Sequence, residues 1–171
     1  MNTQGHINVV DLTITNQYQE SVNIMTMSPV LTIFENIRNV FLSGNLFVID
    51  SLELIKKYRM TGQESLTIRL RQGEDGRVIE KVFRIYAITQ VRQQNQNTKT
   101  YNLHFIDPYF FKFERTIIDR AMRGSLSAIL LKVLREDVKL QEDVIAHFSE
   151  TTPENSQVLC PKWTVSKLVS Y

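Results

Sequence analysis

The chain of 171 residues has a single cysteine, Cys160. One thiol excludes an intrachain disulfide and any zinc site built from several cysteines of this chain. No run of about 18 apolar residues occurs, so no helix is expected to cross a bilayer. The opening Met1 to His6 is polar and lacks the basic-then-apolar order of a secretory signal, so synthesis in a cytoplasm is expected. Histidine is scarce. His6, His104 and His147 lie far apart, with neither His-x-x-x-His nor Glu-x-x-His spacing, and no metal site is expected. No phosphate-binding loop is present, because Gly73 and Gly76 lack a following Lys-Ser or Lys-Thr. The Gly-x-Ser-x-Gly elbow of hydrolases is missing too. The acidic pairs Glu136-Asp137 and Glu142-Asp143 are sequence neighbours, which diverge by about 100° on a helix and cannot face one substrate. The expectation is a protein without catalytic, cofactor-binding or metal-binding residues, a binding or assembly module rather than an enzyme.

What the chain does hold is ordinary globular material, 43% hydrophobic and 22% charged, enough for one domain or one domain with a small appendage. Its net charge of +2 is too small to point to a nucleic acid or a membrane. The placement of charge says more. Lys56, Lys57, Arg59, Arg69, Arg71, Arg77, Lys81, Arg84, Arg92 and Lys99 stand against Glu64, Glu74, Asp75 and Glu80, a net +6 that leaves −4 for the rest. Such a middle can meet phosphates or an acidic protein surface, or can be a set of solvated strand faces and hairpin edges where cations deter edge-to-edge pairing.

Residues 7–14 are rich in β-branched side chains and predict a strand, followed by a polar turn over Asn16 to Glu20. A second strand is expected over Val22 to Met27, stopped by Pro29, and Leu31 to Ile37 favours a third. Ser43-Gly44-Asn45 is expected to break the next apolar run. Leu46 to Ile49 then reads as a strand buried on both faces. Asp50-Ser51 offers capping side chains for a short helix over 52–58 that ends at Thr61-Gly62. Leu66, Ile68 and Leu70 alternate with Thr67, Arg69 and Arg71 in a half-buried strand. A turn over Gly73 to Gly76 leads into a long strand from Val78 to Val91, with Phe83, Ile85 and Ala87 on one face and Tyr86 and Ile88 on the other. After a polar turn over Gln93 to Asn97, Tyr101, Leu103 and Phe105 alternate with Asn102 and His104, which completes a three-stranded meander over 65–106.

The pattern changes at Asp107-Pro108. Tyr109, Phe110, Phe111 and Phe113 cluster within five positions and are expected to pack in a core. Leu126, Ile129, Leu130, Val133 and Leu134 form one helical stripe, with Ser125 as N-cap and an end near Asp137. Thr151 to Ser156 is expected to be a loop, and Cys160 to Tyr171 a last extended or helical piece.

In order, Ser43-Gly44-Asn45-Leu46-Phe47-Val48-Ile49-Asp50-Ser51, Met60-Thr61-Gly62-Gln63-Glu64, Phe83-Arg84-Ile85-Tyr86-Ala87-Ile88, Tyr101-Asn102-Leu103-His104-Phe105-Ile106-Asp107, Ala121-Met122-Arg123-Gly124-Ser125 and Pro161-Lys162-Trp163 resemble the N-terminal region of baseplate hub proteins of contractile-tailed bacteriophages, over roughly 20–171. The resemblance implies an α+β chain: a partial tail-tube-like antiparallel β-barrel over 1–108, then a helix-containing segment of a second hub domain over 109–171. It implies a homotrimeric structural protein of the virion baseplate that links tail tube to central spike and lines the channel. The implied partners are the tube, the spike and neighbouring baseplate proteins, with DNA met only in transit and no membrane insertion. In that family the chain continues past the Pro-x-Trp segment and returns strands to the barrel. This sequence stops at Tyr171, so the rest of a longer hub or a separate chain is expected to complete the wall. An incomplete antiparallel sheet also predicts an obligate oligomer on physical grounds, because its edges carry unpaired backbone groups.

The alternative is a small β-barrel that binds single-stranded nucleic acid, with Arg69, Arg71, Arg84 and Arg92 on phosphates and Tyr86 and Tyr101 stacking on bases. A small hydrolase would need Cys160 paired with His104 or His147.

Overall fold

The computed structural model describes residues 7–36, 39–73, 76–141, 145 and 156–170. The chain divides into two units, Met1–Glu35 with Phe41–Pro108, and Asn36–Val40 with Tyr109–Tyr171.

The first unit is built on β1 (Ile7–Thr15), β2 (Ser21–Asn23), β3 (Val30–Asn36), β4 (Asn39–Asp50), β5 (Ser65–Gln72), β6 (Val78–Asn95) and β7 (Thr98–Ile106), with a single helical turn, α1 (Leu54–Lys57). The strands form one seven-stranded sheet in the order β2-β1-β5-β6-β7-β4-β3. Period-two alternation gives it one buried face. Leu66 lies opposite Phe83, Ile85 opposite Phe105, Leu46 opposite Leu103 and Val48 opposite Tyr101, all in antiparallel pairs. The Phe83 and Phe105 rings meet at 4.9 Å. Leu12 and Ile14 of β1 belong to the same buried cluster as Leu46 and Val48 of β4, although the two strands stand toward opposite ends of the sheet. The sheet therefore curls around one core, and it does not close.

Several expectations over this unit need correction. The strand expected over Val22 to Met27 stops at Asn23, whose side chain accepts the Met25 N–H at 3.0 Å, and a 3-10 turn over Met25–Met27 follows. Asparagine here offers the backbone an alternative to the ladder. Ser43-Gly44-Asn45 does not break β4. Gly44 runs through the strand because the backbone is crowded there: a Cβ would overlap the Thr32 carbonyl oxygen and come within 2.8 Å of Phe105 Cε2. Leu46 to Ile49 is buried on one face rather than two, since Leu46 and Val48 are buried and Ile49 is 42% exposed. The helix expected over 52–58 contracts to Leu54–Lys57. A register shift between Ile85 and Ala87 puts Ala87 opposite His104 and Ile88 opposite Leu103, so Ile88 joins the core and Ala87 leaves it, the reverse of strict alternation. The polar turn after β6 narrows to Gln96-Asn97. Of the Gly73–Gly76 turn, Glu74 and Asp75 lie outside the described residues, and Gly73 takes a left-handed φ of 68°.

The second unit contains α2 (Tyr109–Arg115), β8 (Ile117–Gly124), α3 (Leu126–Glu136), β9 (Ser156–Thr164) and α4 (Val165–Val169). β8 and β9 pair antiparallel as a two-stranded sheet, and α3 packs on β8. Ser125 caps α3 by accepting the Ala128 N–H at 3.2 Å, and Asp137 is its C-cap. Ile129, Val133 and Leu134 of the helical stripe are buried, while Leu126 is 46% exposed. Of the aromatic cluster, Phe113 is buried and Phe110 meets Phe111 edge-on at 5.5 Å. β8 was not expected from the residue pattern. Its buried residues, Ile118 and Met122, share one strand face, but the position between them on that face is Arg120, which pairs with Asp137, so no apolar alternation shows. Val138 and Ile145 are buried. The expected loop from Thr151 falls outside the described residues up to Asn155, and Ser156 already opens β9.

Candidate assembly surface

An antiparallel sheet that stays open ends in two strands with unpaired N–H and C=O groups. Here β3 forms one rim. On the other, β2 covers β1 only along Thr13–Thr15, and the Ile24 N–H reaches the Leu12 carbonyl at 2.8 Å. The flank of β1 from Ile7 to Asp11 meets no further strand among the described residues. Isolated edges are usually guarded by lysine, proline, inward charge or a β-bulge, and here the free flank of β1 has one bulge, between Val9 and Asp11. Neither β1, β2 nor β3 contains Lys, Arg or Pro. Ile7 is 66% exposed on one rim, and Val30 and Phe34 are about half exposed on the other.

The basic strand residues of the middle lie on solvated faces and beside hairpin turns, as expected, but for Arg69, Arg71 and Arg84 the protection of strand edges is corrected. Those three lie where β5 and β6 are paired on both sides, whereas among the described residues Lys81 lies on a stretch of β6 that pairs with β5 alone and Arg92 on one that pairs with β7 alone. Arg69 is also spoken for: its Nε donates to Glu80 Oε2 at 2.7 Å, and that bond and charge hold the guanidinium above its ordinary pKa.

Between β4 and β5 the chain leaves the sheet to make α1, and this corner is held by buried polar side chains. Asp50, 1% exposed, accepts the N–H groups of Leu52 at 2.9 Å and Leu54 at 2.8 Å, and the Tyr101 hydroxyl at 3.2 Å. Asp50 thus supplies the cap that the N-cap residue Glu53 does not make. Glu64, 2% exposed, accepts from the Thr61 N–H at 2.6 Å and the Gly62 N–H at 2.9 Å. Asn16, 4% exposed, takes the N–H groups of Tyr18 and Glu20 and donates to the Tyr58 carbonyl at 3.2 Å, which ties the β1–β2 turn to the corner. Burial without these partners would be costly for each group. Gln19, Glu53 and Arg59 all take left-handed backbone, with φ of 65°, 54° and 49°, a conformation that costs a non-glycine residue roughly 1 kcal/mol. What the corner displays is Lys56, Lys57, Arg59 and Tyr18, all exposed.

Tyr101 is fully buried, and burial, reinforced by the charge of Asp50, raises its hydroxyl pKa. It cannot stack on a base, which corrects that part of the nucleic-acid alternative. Tyr86 is 49% exposed and lies 6.0 Å from the His104 ring, whose Nε2 bonds Thr89 Oγ1 at 2.7 Å. Cys160 is buried in the second unit while His104 belongs to the first. Burial raises the Cys160 pKa, against the opposing charge of Arg120, so the thiolate that a nucleophile needs is disfavoured. His6 and His147 lie outside the described residues. Among the described residues no three His, Cys, Asp or Glu side chains gather where they could hold a metal ion. Sequence reasoning flagged Asp50 as a capping residue and missed the matching role of Glu64 and Asn16; polar side chains beside chain reversals were the available signal.

The fold is α+β, a curled antiparallel sheet left unclosed among the described residues, with a few short helices. The tail protein from Neisseria meningitidis MC58 shares it, with a TM-score of 0.52 at 12% identity over 93% of this chain and 43% of that one. A chain of the Francisella PdpA–VgrG complex in its half-lidded form overlays with a TM-score of 0.47 at 11% identity, over 94% of this chain and 26% of that one. The chain spans less than half the length of either. No protein-family model and no curated protein matches it.

Proposed function

We propose that the chain is a structural component of a phage-type or secretion-system tail and, within it, the baseplate hub that joins tail tube to central spike and lines the channel. One observation carries this reading: an apolar core is wrapped by a sheet whose two outer strands, among the described residues of that unit, meet no further strand and contain no lysine, arginine or proline. Such a wall is completed by strands from further polypeptide, and the tail-protein fold supplies the setting. The hub resemblance adds the finer content. Three copies form the ring, tube, spike and neighbouring baseplate proteins are the partners, DNA passes without lasting contact, and the location is the virion baseplate. The chain acts by position and shape, without catalysis.

Electron microscopy of assembled particles carrying a tagged chain tests the proposal. Three copies beneath the tube, at the junction with the spike, are expected. Copies repeated along the tube, or a particle that assembles normally without the chain, would overturn it. Light scattering of the purified protein is expected to show self-association, and a stable monomer would count against the open-rim argument.

A further inference from the structure

We propose that the α1 corner is a docking point for an acidic segment of a partner protein. It is built to keep its shape: three buried polar side chains, Asp50, Glu64 and Asn16, hold it from beneath, and left-handed Glu53 and Arg59 bracket its single helical turn. Strained backbone that the surroundings hold in place points to a role for what is displayed. Lys56, Lys57 and Arg59 stand within four positions. Of the nearby carboxylates, Glu53 pairs with Lys56 at 3.7 Å, and Glu20, still charged, accepts the Asn16 amide at 2.8 Å on the β1–β2 turn. Among the described residues Lys57 and Arg59 make no ion pair.

Carboxylates fit this display better than a nucleic acid does. The Tyr18 ring lies 5.9 Å from the Arg59 guanidinium, a cation–π partner for that charge. The cations crowd one turn instead of tracking along a groove, as a phosphate backbone requires. The inference names a partner chemistry and does not depend on the hub assignment.

The test is fluorescence anisotropy of the whole chain with three labelled probes: a short Glu/Asp-rich peptide, a Gln/Asn peptide of equal length, and single-stranded oligothymidine. The double variant Lys57→Gln, Arg59→Asn removes both unpaired charges, and asparagine tolerates the left-handed backbone at 59. Arg92→Gln, an exposed cation on β6, is the control. The acidic peptide is expected to bind the wild type in a salt-sensitive way. Affinity should fall about tenfold in the double variant at unchanged melting temperature and stay unchanged in the control. No binding of the acidic peptide, an equal loss in Arg92→Gln, or tighter binding of oligothymidine would overturn the proposal. Particle microscopy reads the hub assignment separately, so either can fail alone.

Discussion

In the seven-stranded unit, charge is taken inside and answered by backbone: Asp50 and Glu64 are almost fully buried and accept N–H groups. In the smaller unit, the principal ion pair stays near the surface, where Arg120 grips Asp137 through both guanidinium nitrogens, at 3.0 and 2.6 Å. The difference follows from what each unit can bury. A seven-stranded sheet encloses a continuous core that fixes its polar anchors in place. A two-stranded sheet is marginal by itself, so the smaller unit leans on a capped helix packed across one face. The larger unit should therefore break from within, and the smaller one at its helix ends and surface contacts.

The sharpest attempt to break that contrast is Leu66→Asp. Leu66 is fully buried opposite Phe83, and a carboxylate there finds no partner. A loss of more than about 4 kcal/mol is expected, read as collapsed circular dichroism and insoluble protein. A soluble variant with the wild-type spectrum would show that the face of β5 is wrongly assigned. Gly44→Ala comes next, at about 2–3 kcal/mol, because the new methyl group meets the Thr32 backbone carbonyl, which cannot swing aside as a side chain can. An unchanged melting temperature would show that β3 has room to move away from β4.

Tyr101→Phe probes the buried polar network more gently. Removing the hydroxyl takes one bond from Asp50, which keeps its two backbone donors, and about 1 kcal/mol is expected. The pH dependence has a definite sign. The folded state holds the Tyr101 pKa above its unfolded value of about 10, so the protection is complete below about pH 10 and declines as pH rises through and beyond that value. Melting temperature should fall less steeply between about pH 9 and 11 in Tyr101→Phe than in the wild type. Parallel slopes would mean that the hydroxyl is not the group responsible.

The same contrast explains what could be read from residues alone. Leu66, Ile68, Tyr101, Leu103 and Phe105 lie on strands with neighbours on both sides, where one face meets core and alternation is undisturbed. The α3 stripe was legible because a single helix face is buried and Ser125 marks its start. Legibility failed where a bulge shifts phase, as at Ala87 and Ile88, and across Ile118 to Met122, where Arg120 takes the middle position of the buried face and hides the alternation. It failed at Gly44, where glycine permits a close approach rather than a turn. An incomplete sheet was expected, but which strands form its rims followed only from the strand order, which no local pattern encodes, and that order places Arg69, Arg71 and Arg84 on stretches paired on both sides.

The smallest expected effect lies in the smaller unit, at Arg120→Gln. The pair joins β8 to the C-terminal end of α3, and its partners are 41% and 19% exposed, so water already screens it. The bond to Asp137 is the main reason the Arg120 pKa stands above its ordinary value, but a partly solvated pair contributes only about 0.5–1 kcal/mol. Global melting should therefore shift little. Hydrogen exchange should show the effect more clearly, with faster exchange confined to β8 and the last turn of α3 and none added in β5–β7. Asp137→Asn should give the same pattern, and the double variant should add almost nothing to either single change, because the interaction is shared. If the faster exchange instead spread through the seven-stranded sheet, the two units would melt together, and the contrast between an interior-braced unit and a surface-braced one would fail.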